Sequence, residues 1–98
     1  MEIIKNTNGE TLTLNIVGRL DTTTAPELEN ELKASLDGVN DLVLDLVDLD
    51  YISSAGLRVL LAAQKVMNKQ GEMIILNASS DIMEVFDITG FSDILTVE

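Results

Sequence analysis

The chain contains neither cysteine nor histidine. Disulfides, thiolate nucleophiles, zinc-finger ligation and every histidine-based triad are thereby excluded. A cysteine-free chain fits a reducing compartment, so a cytoplasmic location is expected. Cations are scarce: six Lys+Arg stand against seventeen Asp+Glu, a net charge of −11. A nucleic-acid binder needs a basic footprint to displace counterions from phosphates, so no nucleic-acid partner is expected. An anionic membrane surface is disfavoured for the same reason. Partners should be basic, or should meet a local patch that the net charge does not describe. No apolar run reaches the ~18 residues of a membrane span. The start, Met1-Glu2-Ile3-Ile4-Lys5, has no basic region leading into a long apolar stretch. Neither phosphate-binding glycine motif occurs, and G-x-S-x-G is missing.

What is present suffices for one domain over residues 1–98. Forty-six per cent of the 98 residues are hydrophobic and the mean hydropathy is +0.24. A chain of this size buries roughly two thirds of its unfolded surface, so a real core is expected. Glu2 to Thr7 is β-prone and Asn8-Gly9 is a turn dipeptide. In Thr11-Leu12-Thr13-Leu14-Asn15-Ile16-Val17 the apolar residues alternate, which predicts a half-buried strand and an N-terminal hairpin. Thr24 with Glu27 predicts a capping box, and Pro26 suits a first helical turn. Ala25, Leu28, Leu32 and Leu36 then recur at helical spacing up to a stop at Gly38.

Leu42-Val43-Leu44-Asp45-Leu46-Val47 reads as a central strand covered on both faces. Asp48 to Ile52 reads as a connection, and Ser53-Ser54-Ala55-Gly56 opens a helix that ends at Gln70-Gly71. Met73-Ile74-Ile75-Leu76 is another buried strand. Ser79, Ser80 and Asp81 offer caps for a last helix carrying Ile82, Val85 and Phe86. The order β-β-α-β-α-β-α demands crossovers. The fold class is therefore α/β, a mixed and largely parallel sheet with an antiparallel N-terminal edge strand and helices packed after the βα crossovers. Residues 18–24, 47–54 and 77–81 should meet at the carboxyl ends of the strands.

Most chemistry can be set aside. Asp48-Leu49-Asp50 starts like a calcium loop but has Ser53 at the sixth position and Val59 at the twelfth. Asp45 resembles a receiver-domain phospho-acceptor without that family's acidic pair and late lysine. A small acidic enzyme working through Ser54 would lack a base. No cofactor and no metal ligand set is expected. The serine pair remains. On physics alone the plainer reading is an N-cap, because a serine oxygen accepts an unpaired N–H at the helix start. The sharper reading is a phosphorylation site. A phosphate on Ser54 would meet the positive end of the helix dipole, yet add about −1.5 to −2 charge beside Asp48 and Asp50.

Asp48-Leu49-Asp50-Tyr51-Ile52-Ser53-Ser54-Ala55-Gly56-Leu57-Arg58-Val59-Leu60 resembles the signature of the STAS domain, the sulfate-transporter and anti-sigma-antagonist family. Gly18-Arg19-Leu20-Asp21 followed by Thr24-Ala25-Pro26-Glu27-Leu28 resembles its second signature. The likeness spans the chain and is greatest to the bacterial anti-sigma factor antagonists. It implies a regulator that, unphosphorylated, binds an anti-sigma factor with Ser/Thr kinase activity and frees a sigma factor. The kinase then phosphorylates a serine at the start of the second helix, and a phosphoserine phosphatase restores binding. ATP belongs to the kinase.

Alignment on Gly56-Leu57 implies Ser54 as the modified residue, with Ser53 as second choice. Here Ser53 replaces the Asp of many members, Ala55 replaces a second hydroxyl, and Arg58 replaces a small residue. The implied partner-binding set is Asp21, Thr22, Thr23, Thr24, Asp48, Asp50, Ser53, Ser54, Ala55, Gly56 and Arg58. The alternative is a STAS subunit of a transport or sensory complex in which Ser54 only caps the helix.

Overall fold

A computed structural model describes all 98 residues. Its strands are β1 (Glu2–Asn8), β2 (Thr11–Leu20), β3 (Asp41–Asp45), β4 (Leu49–Ile52) and β5 (Glu72–Leu76). Its α-helices are α1 (Ala25–Ser35), α2 (Ser54–Gln70) and α3 (Ser80–Thr89), followed by a 3₁₀ turn at Phe91–Asp93. The expected hairpin forms, with β1 antiparallel to β2 and Ile3 opposite Ile16. Strands β3 and β5 add in parallel to give the order β1-β2-β3-β5. The closing segment adds a parallel bridge from Val97 to Ile75 at the far edge.

The alternation in β2 is realised as read: Leu12, Leu14 and Ile16 are buried while Thr11, Thr13 and Asn15 are half-buried. Across the sheet, Leu42, Leu44, Met73 and Ile75 continue the buried face. They join Leu28 and Leu32 of α1, Leu57, Leu60 and Met67 of α2, and Ile82 and Phe86 of α3 in one cluster. Burying such a side chain contributes about 1.5–3 kcal/mol, so this cluster is the main source of stability. Strand β3 departs from the expectation of two covered faces. Val43 and Asp45 are only half-buried and Val47 is exposed beyond the strand end. The apolar run is continuous in sequence, but the pleat sends alternate residues to a face that is only partly covered.

The connection expected over Asp48 to Ile52 contains a strand instead. β4 pairs in parallel with the last residues of β2, after a register shift between Gly18 and Arg19. Strand β2 is therefore longer than its alternating segment and serves two partners in turn, β3 up to Asn15 and β4 from Gly18. The extra residue of this bulge is Asp50 on β4, and beside it on β2 Gly18 has φ 98°, a left-handed conformation that side chains with a Cβ rarely adopt.

Candidate functional site

Two backbone hydrogen bonds fix β4 against the end of β2. The Gly18 N–H donates to the Asp48 carbonyl and the Ser53 N–H donates to the Leu20 carbonyl, each at 2.9 Å. Register then sets Arg19 opposite Tyr51. The guanidinium lies over the Tyr51 ring, 4.2 Å from its centroid, and its Nε is 3.8 Å from Asp21 Oδ2. Tyr51 and, at the start of the connection to β4, Val47 are large apolar residues left in solvent.

The loop from Asp21 to Thr24 is held by one carboxylate oxygen. Asp21 Oδ1 accepts from the Thr23 hydroxyl at 2.8 Å, the Thr23 N–H at 3.0 Å and the Thr24 N–H at 3.1 Å. The Thr23 hydroxyl, opposed by partial desolvation and helped by these N–H groups, holds the Asp21 carboxyl below its ordinary pKa. The expected capping box is not made. Thr24 lies at the N-cap, but its hydroxyl turns back to donate to the Arg19 carbonyl at 2.7 Å and accept from the Asp21 N–H at 2.8 Å. Asp21 has taken the Thr24 N–H that Glu27 would have served in the box, and the Glu27 N–H donates to the Thr24 carbonyl at 2.9 Å.

The two serines part ways. Ser53 is extended (φ −98°, ψ 174°) and its hydroxyl accepts from the Gly56 N–H at 3.3 Å. Ser53 is the helix cap. Ser54 is the first residue of α2, exposed, and its hydroxyl takes no protein partner. The cap that one sequence reading assigned to Ser54 thus belongs to its neighbour. Gly56 is buried, and a Cβ there would stand 2.7 Å from Leu20 Cγ and 2.9 Å from Ile52 Cγ1. Its part is to let α2 descend onto β2 and β4, which puts it out of reach of a docking partner. Thr22, Thr23, Asp48, Asp50 and Arg58 are exposed, and Thr24 and Ala55 are half-exposed.

Residues 18–24 and 47–54 are joined through the β2–β4 pairing. The third loop reaches them through Asp45, whose Oδ1 accepts from the Val47 N–H at 3.1 Å and from Asn77 Nδ2 at 3.0 Å. Asp45 is thereby a structural tie between two loops. No group of three or more acidic side chains converges to form a cation cage. Arg19 and Tyr51 are the site residues that sequence reasoning passed over. Their partnership is a cross-strand contact, invisible while β4 reads as a loop.

The geometry is that of a small mixed-sheet module presenting unengaged serines at two strand-to-helix junctions, Ser54 behind the cap Ser53 and Ser80 behind the cap Ser79. The STAS domain family model matches residues 2–98, so the chain belongs to the STAS domain family. A Bordetella bronchiseptica protein named as a candidate anti-sigma factor antagonist, BtrV, is 46% identical over 82 residues, covering 82% of this chain and 71% of that protein. The anti-sigma-B factor antagonist of Bacillus subtilis is 35% identical over 91 residues, covering 92% and 84%. Among solved structures, the Bacillus anti-sigma factor antagonist SpoIIAA shares the fold at 18% identity. Its unphosphorylated form matches with a TM-score of 0.79, covering 99% of this chain and 87% of that one. Its phosphorylated form matches with 0.78, covering 99% and 91%.

Proposed function

We propose that this protein is an anti-sigma factor antagonist whose binding is switched off by phosphorylation of Ser54. The observation that carries the reading is the division of labour between the serines: Ser53 spends its oxygen on the Gly56 N–H, while Ser54 stands exposed with its hydroxyl free. A kinase can reach Ser54 without dismantling the helix start. The partner is an anti-sigma factor with Ser/Thr kinase activity, and a phosphoserine phosphatase reverses the change. The antagonist acts by binding, in the cytoplasm, and the nucleotide stays with the kinase.

The partner-facing surface gathers Asp21 to Thr24, Asp48, Asp50, Ser53, Ser54, Ala55 and Arg58. A phosphate there adds about −1.5 to −2 charge to a chain already at −11. The helix start tolerates the anion, so the fold persists and only the docking energetics change. Identity to the two named antagonists, over most of this chain and of theirs, supports this reading over a transport subunit.

The test is incubation with the cognate kinase and ATP, phosphosite mapping, and pull-down of the bare and modified forms. Phosphate on Ser54 with loss of binding is the expected result. Phosphate elsewhere, none at all, or equal binding by both forms overturns it. Ser54→Ala should stay bound. Ser54→Asp should weaken binding only in part, since it carries about one charge.

A further inference from the structure

Three of the six cationic side chains have a carboxylate at ion-pair distance: Lys5 with Glu31 at 3.8 Å, Arg19 with Asp21 at 3.8 Å, and Lys33 with Glu29 at 3.5 Å. The three without one, Arg58, Lys65 and Lys69, all lie on α2. Arg58 is four residues on from Ser54, so the two Cβ atoms are about 5–6 Å apart on one helix face. Helical side chains lean toward the N-terminus, so the turn that Ser54 begins is within reach of the long Arg58 side chain. Arg58 is exposed and borders an open hollow of about 210 Å³ with Thr22, Pro26, Glu29 and Ala55. Glu29, the carboxylate in that hollow, is held by Lys33 and does not engage Arg58.

We infer that Arg58 clamps the phosphate when Ser54 is phosphorylated, closing a guanidinium–phosphate pair over the first turn of α2. The inference rests on Ser54 being the modified residue. A guanidinium fork matches two phosphate oxygens at once, and such charge-assisted pairs are short and directional. Phosphorylation then makes two changes. An anion appears, and a free cation leaves the hollow beside α1. A partner that had offered a carboxylate to Arg58 loses that contact as it meets the phosphate. An aspartate at position 54, shorter and singly charged, cannot draw Arg58 in the same way.

The phosphate's own titration reads out this contact without a partner. Phosphoserine has a second pKa near ~6. Repulsion from Asp21 and Asp48 on the neighbouring loops, from Asp50 on β4 and from Glu29 on α1 raises it. Arg58 and the free N–H groups of the helix start lower it. Phosphoserine is installed at position 54 during synthesis of the full chain, and its phosphorus resonance is followed against pH. The second pKa is expected about 0.3 unit or more lower with Arg58 present than in Arg58→Gln. Arg58→Lys should fall between, because an ammonium supplies charge without the fork. Lys65→Gln, two turns along the same helix, should match the wild type. Equal pKa values in the wild type and Arg58→Gln overturn the inference, as does an equal shift in Lys65→Gln. Failure of the switch itself shows separately, as a kinase that leaves Ser54 bare or a phosphate that leaves binding unchanged.

Discussion

Replacing each serine by alanine separates the cap from the target. In Ser53→Ala the Gly56 N–H loses its acceptor at the start of a 17-residue helix. Removing an N-cap serine costs about 0.5–2 kcal/mol. The bond here is 3.3 Å long and only partly shielded from water, which places the loss near the middle of that range, about 1 kcal/mol. For a domain of this size about 1 kcal/mol lowers Tm by roughly 4–8 °C. Ser54→Ala removes a hydroxyl with no protein partner from an exposed first-turn position, where alanine is a good helix former. Its stability should stay within about 0.5 kcal/mol of the wild type. Thermal and urea unfolding followed by circular dichroism measure both. Equal loss in the two variants, or no loss in Ser53→Ala, would refute the assignment of roles. Kinase treatment completes the dissection: Ser53→Ala should still accept phosphate and Ser54→Ala should not.

Gly56→Ala forces a methyl group to within 2.7 Å of Leu20 Cγ, so a strain of roughly 1–3 kcal/mol outweighs a helix-propensity gain of at most about 1 kcal/mol. The variant should melt several degrees lower and bind its partner less well, and a rise in Tm would contradict the packing argument. The lowered pKa of Asp21 makes its contribution to stability full above its ordinary value of 3.8 and lost as pH falls through the lower folded-state value. The stability gap between wild type and Asp21→Ala, read from urea titrations, should be constant above about pH 5 and narrow below pH 3.8. A gap that widens on acidification would reverse the assigned sign. Gly18→Val puts a β-branched residue at φ 98° and should destabilise by at least 1–2 kcal/mol, with β4 losing amide protection before β3 in hydrogen exchange.

Period and spacing carried most of the architecture. The alternation of Leu12, Leu14 and Ile16 and the helical recurrence of Leu28, Leu32 and Leu36 each report one buried face. These signals are local, and the elements they predict are present. Strand β4 is different. Asp48, Asp50 and Tyr51 are exposed, and only Leu49 and Ile52 of its four residues are buried, so nothing in the segment alternates. Its strand character comes from pairing with Gly18 to Leu20, some thirty residues earlier in the chain. The capping box failed for a related reason. Thr24 and Glu27 have the right spacing, but Asp21, three residues upstream, takes the Thr24 N–H with a charged acceptor, and the Thr24 hydroxyl is engaged by the Asp21 N–H and the Arg19 carbonyl. The serine motif was legible as a pair. Which oxygen turns toward Gly56 depends on the backbone angles of Ser53, and those follow from its N–H being tied to Leu20.

That tie has a kinetic consequence. Both ends of β4 are pinned to β2, so the platform carrying Ser54 is shaped before any encounter. A visiting protein has little loop ordering to impose, and its arrival should depend mainly on diffusion and long-range charge. A phosphate added to such a rigid ledge would act on both steps, on arrival through its charge and on residence time through the contacts it displaces.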